Sequence, residues 1–89
     1  LMAFVGMDVE QVQNLSRQLD QKATDIDNII STLNSTMQAT DWKGQDANQF
    51  RNDWNSNLTQ KLRQVSQALK DASRKASQNA QEQQTTSSK

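Results

Sequence analysis

Asp25 and Asp27 are the closest this chain comes to a pair of catalytic carboxylates. An acid and a base that work together must face one cavity, but residues two apart on a helix point in different directions. Flanking the apolar Ile26, both are expected to be solvated. No other reactive group takes their place. The chain has neither His nor Cys, which removes thiol nucleophiles, disulfides and zinc sites. Chemistry built on Ser or Lys needs a pocket, and a thin helical assembly offers little concavity. The reading is a non-enzymatic chain with no metal and no cofactor. Its ten basic residues are scattered and balanced by ten acidic ones. The densest run, Lys70-Asp71-Ala72-Ser73-Arg74-Lys75, carries an acid of its own, so the basic face that nucleic acid requires is missing.

What remains is recognition, and the residue suited to it is Trp42, two before Gly44 near the middle of the 89 residues. Tryptophan at a helix corner can plug the end of a bundle, or it can serve as a binding hot spot. Gly44 can stop a helix, cap the next one, or let another backbone come close. Phe50 and Trp54, four apart, fall on one helical stripe and are expected in the core, with Arg51, Asn52 and Asp53 facing elsewhere.

Two long elements must position that midpoint. Before it, Val9, Val12, Leu15, Leu19, Ala23, Ile26, Ile29, Ile30, Leu33 and Met37 are separated mostly by threes and fours, the period of one helix face. Asp8 supplies a cap and Gln11 stands three residues on, as a capping box requires. After the midpoint come Ala47, Phe50, Trp54, Leu58, Leu62, Val65, Leu69, Ala72, Ala76 and Ala80, again at threes and fours, shrinking from aromatics to alanine. The Gln, Asn, Ser and charged residues between them are read as solvated faces. The chain contains no proline to break either run. The expected fold is all-α: a hairpin of two antiparallel helices over residues 8–80, each about 50 Å long, with its turn at 41–44. Residues 1–7 are read as an N-terminal tail and 81–89 as a flexible C-terminal one.

Only 33% of the residues are apolar and the mean hydropathy is −0.96, so two helices alone bury little. A second hairpin would complete a four-helix bundle. The interface and core are expected from Leu15, Leu19, Ile26, Ile30, Leu33, Met37, Phe50, Trp54, Leu58, Leu62, Val65 and Leu69. No stretch approaches the length of a membrane span, so no stable membrane insertion is expected, and no cleavable signal peptide is visible.

The run Asp41-Trp42-Lys43-Gly44-Gln45-Asp46-Ala47-Asn48-Gln49-Phe50, with a helix on each side, resembles the WXG family of early-secreted-antigen-like proteins exported by type VII secretion systems. The resemblance covers roughly residues 8 to 80. It implies an antiparallel four-helix bundle formed as a homodimer or as a heterodimer with a related hairpin. It also implies export of the folded dimer, without a cleavable signal peptide, through a membrane ATPase, with Trp42 and Gly44 part of the export signal. Such proteins are cytoplasmic before export and secreted or at the cell surface after it. One feature departs from the family pattern: the Tyr that precedes an acid by four residues is absent, and the nearest frame is Gln78 to Glu82. That implies a partner carrying the motif, or an intracellular adaptor or chaperone that pairs with the helical leader of a larger secreted toxin.

Overall fold

The computed structural model describes residues 6–87, and side chains as far as residue 85. Helix α1 runs Val9–Ala39, and a short loop leads to α2, Gln45–Asp53. A single π-helical turn, Trp54–Leu58, continues directly into α3, Thr59–Ser87. These form an all-α hairpin with α1 as one arm and α2, the π turn and α3 as the other. Its dimensions are 66 × 18 × 14 Å and its radius of gyration is 19.7 Å, against about 12 Å for a compact domain of this length. A rod of this shape has almost no interior.

The Asp8 carboxylate accepts the Gln11 amide at 3.1 Å, one of the four amide groups that a helix start leaves without partners. At the far end, the Thr40 amide closes on the Met37 carbonyl at 3.3 Å. Gly44 then caps the second arm: its carbonyl accepts the Asn48 amide at 3.0 Å. Its backbone stands at φ 110, ψ −179, a conformation that belongs almost entirely to glycine. A Cβ there would meet nothing within 4 Å, so within the chain glycine is needed for its conformation and not for space.

The arms meet along residues spaced by seven, and these are mostly small. On α1 they are Ser16, Ala23 and Ile30; on the second arm they are Ala47 and Trp54, then Thr59, Ser66, Ser73 and Ala80. All are buried. The five-residue step from Trp54 to Thr59 coincides with the π turn. In a regular helix five residues rotate about 500°, which leaves Thr59 roughly 140° off the face of Trp54. A π turn absorbs one extra residue, and here the Thr59 amide reaches back to the Trp54 carbonyl. Thr59, Ser66 and Ser73 thereby enter the seam, while Leu58 and Val65 remain 38% and 48% exposed.

This corrects the reading of serine as a solvated residue. The Ser16 hydroxyl donates to the Ser73 carbonyl at 2.8 Å and the Ser73 hydroxyl donates back to the Ser16 carbonyl at 2.7 Å. The Ser66 hydroxyl donates to Asp27 at 2.8 Å and lies 3.2 Å from the Ala23 carbonyl. A serine can be buried here because a helix carbonyl has a spare lone pair to offer. Asp27 is likewise not simply solvated. It accepts from Ser66 and pairs with Lys70 at 3.1 Å across the arms. The Ser66 hydrogen bond, and then Lys70, hold its carboxyl below the usual carboxylate range.

Helix α3 also differs from expectation by continuing to Ser87, past the last periodic alanine. Gln and Glu propagate a helix well, and neither Gly nor Pro interrupts residues 81–87. Since Ser73 stands level with Ser16, these last turns project beyond the start of α1.

Candidate functional site

Two apolar features of the hairpin stand open to solvent: the aromatic tip and one long apolar face. At the tip, Arg51 lies on the side of α2 that carries Ala47 and Trp54, four residues after one and three before the other. Its guanidinium donates to the Trp42 carbonyl at 2.7 Å and to the Thr40 carbonyl at 3.2 Å. The Trp42 amide donates to Thr40 at 3.1 Å. These bonds hold the 40–44 loop against the second arm. Sequence reasoning had turned Arg51 away from this face, although its spacing from Ala47 and Trp54 placed it there.

The Trp42 ring packs at 5.5 Å from the Phe50 ring, tilted by 52°, a favoured aromatic geometry. Even so, Trp42 is 43% exposed and Phe50 46%. Phe50, expected in the core with Trp54, instead lies to one side of the seam, because a position three after Ala47 falls about 60° from it. An open groove of ≈ 510 Å³ runs beside the two rings, bounded by Asp46, Gln49, Asn52, Asp53 and Ser56. Trp54 is buried as expected, and its indole N–H donates to Asn34 at 2.6 Å. The second hollow at this end, ≈ 220 Å³, lies between Asn34, Met37, Gln38, Arg51, Trp54 and Asn55. It brings together no acid–base or nucleophilic pair.

The long face is built from residues one before or three after each seam position. On α1 these are Leu15, Leu19, Ile26, Ile29 and Leu33; on α3 and the π turn they are Leu58, Leu62, Val65 and Leu69. Helical arms running antiparallel bring both sets to the same side of the hairpin. Leu15, Ile29, Leu33, Leu58 and Val65 are 38–51% exposed, and Leu19, Ile26, Leu62 and Leu69 are half-buried at its inner edge. Of the remaining expected core residues, Ile30 is buried in the seam and Met37 is half-buried. The opposite side is polar and carries the Asp27–Lys70 pair. Among the described residues no group of His, Cys, Asp or Glu could hold a metal ion, and no helix is long and apolar enough to cross a membrane.

A hairpin with Trp-x-Gly at its tip now has an independent counterpart: the family model described as "Proteins of 100 residues with WXG" matches residues 5–87. The chain belongs to the WXG100 family. No curated protein and no solved structure shows significant similarity to it. WXG100 proteins are small, early-secreted-antigen-like substrates of type VII secretion, and they pair as dimers. Within this WXG100 chain, Trp42 and Gly44 occupy the loop between the arms, with the apolar face running away from them along the hairpin.

Proposed function

We propose that this chain is a non-enzymatic export subunit that pairs face to face with a second hairpin. The four-helix bundle so formed passes folded through a type VII secretion machine, and its ATPase engages the tip at Trp42 and Gly44. The observation that carries this reading is the apolar face: five large aliphatic side chains stand 38–51% exposed along one side of a single hairpin. Isolated exposed leucines are ordinary, but a continuous apolar strip marks a surface that another protein covers. Helices bury such strips against other helices, and within this chain the facing positions are already taken by the seam residues, most of them small. Membership of a family whose proteins pair and are secreted supports the same reading.

The test is export from bacterial cells that carry a type VII machine, with and without its ATPase. The full-length chain is expected in the medium only when the ATPase is present. Trp42→Ala should stay in the cell while remaining helical and paired. Retention of the unaltered chain on a larger toxin, or its release without the ATPase, would overturn the proposal.

A further inference from the structure

Helix α1 ends without a cation of its own. Its last turn holds no basic residue, although the open carbonyls at a helix C-terminus favour positive charge. Arg51, from the other arm, takes that place. Its guanidinium donates to the Thr40 carbonyl at 3.2 Å, and Thr40 is the residue that caps α1. The same fork donates to the Trp42 carbonyl at 2.7 Å.

These bonds close a ring. The Trp42 amide donates to the Thr40 carbonyl at 3.1 Å, so one oxygen accepts from both Trp42 and Arg51. Thr40 is itself fixed to α1, by its amide on the Met37 carbonyl at 3.3 Å and its hydroxyl on the Thr36 carbonyl at 2.6 Å. Arg51 stands in the last turn of α2. The backbone of Trp42 is therefore tied to one arm through Thr40 and to the other through Arg51. Both Arg51 bonds go to backbone carbonyls, so the shape of the fork matters as well as its charge. A planar guanidinium presents several N–H groups in a fixed arrangement, whereas a lysine ammonium is a single point charge.

We infer that Arg51 is the positioning residue for Trp42, and that it makes an ordered tip conditional on closure of the hairpin. Arg51 reaches Thr40 and Trp42 only while α2 lies beside the end of α1. When the arms part, the ring breaks and Trp42 sits on a loose loop. The inference rests on the export reading above, because it assigns how the recognised side chain is presented. A secretion machine that engages Trp42 meets it in one orientation, leaning on Phe50, and only on a closed hairpin.

Arg51→Lys and Arg51→Met test this against the unaltered chain. Two signals read the tip directly. The Lys43 side chain is 90% exposed, so trypsin cleavage after it follows the order of the loop backbone. The indole N–H resonances of Trp42 and Trp54 are separate reporters, since only Trp54 is bonded to Asn34. In both variants cleavage after Lys43 should quicken several-fold and the Trp42 resonance should move. Cleavage after Lys22 and Lys61, within the helices, should not change, and neither should the Trp54 resonance. Helicity by circular dichroism and mass by light scattering should match the unaltered chain, while export falls to the level of Trp42→Ala. Unchanged cleavage after Lys43 with an unmoved Trp42 resonance in Arg51→Met would overturn the inference. Full export of a variant whose loop has loosened would do the same. Loss of helicity in both variants would make Arg51 a support of the whole fold, which also contradicts it. If the unaltered chain is not exported, the export reading fails, and the cleavage and indole signals still decide whether Arg51 positions Trp42.

Discussion

Deleting Asn57 should leave the hairpin intact and stabilise it slightly. Trp54 and Thr59 share the seam although five residues separate them, and the π turn exists to absorb the extra residue. With Asn57 removed the step becomes four, which a regular helix rotates through about 400°, or 40° from perfect alignment. Both halves of the arm keep their faces. The deletion sacrifices only an exposed 3.4 Å contact from Asn57 to Asp53, and regular α-helical hydrogen bonding should contribute about 1 kcal/mol net in its place. For a chain of this size that raises the melting temperature by about 4–8 °C. The control is deletion of Ser31, an equally exposed residue in the uninterrupted α1. Everything after Ser31 then turns about 100° away from the seam, including Asn34, which bonds Trp54. Helicity and melting by circular dichroism decide the matter. If deletion of Asn57 costs as much as deletion of Ser31, the π turn is not a one-residue insertion into a continuous seam and the account of how the apolar face arises fails.

Thr59 Oγ1 is buried with no hydrogen-bond partner among the described residues, so Thr59→Val should stabilise the hairpin by about 1 kcal/mol, seen as a higher melting temperature with unchanged helicity. Asp27 is held below the ordinary carboxylate value of 3.8 by Ser66 first and by Lys70 next. The stability linked to it is complete above that value and is lost as pH falls through its lower folded value. Asp27→Asn should therefore lower the melting temperature at neutral pH and flatten its fall under acid, as thermal melts from about pH 7 to 2 would record.

The sequence made the outline of the hairpin legible because each end announces itself locally. Asp8 with Gln11 marks a helix start, and Gly44 occupies the one loop position whose backbone conformation glycine alone tolerates. The position of Trp42 at the tip follows from its place two residues before that glycine. The seam was harder to see. Reading apolar residues as inward assigns Leu58 and Val65 to the contact between arms, and a π turn has no composition signal comparable to Pro or Gly. Nothing in Trp54-Asn55-Ser56-Asn57-Leu58 announces the extra residue. A clue lay in the small residues, since Ser16 and Ala23 on one arm and Thr59, Ser66, Ser73 and Ala80 on the other recur at intervals of seven. Serine and threonine are usually read as surface residues, which hid a stripe whose serines are made burial-compatible by helix carbonyls. Arg51 was missed for a related reason: a charge four residues from Ala47 was assigned to solvent, whereas the loop carbonyls of Thr40 and Trp42 satisfy it.

The small-residue seam has a consequence for how much of this protein a cell holds in folded form. Serine and alanine bring the arms together but remove little oil from water, so a solitary hairpin gains little from closing. Under the pairing proposed above, the larger reward lies on the outer face and is collected only in company. Order in such a molecule becomes a property of its abundance: each tenfold dilution costs the assembled form about 1.4 kcal/mol. Copies made in excess of their partners would be the ones that proteases find first.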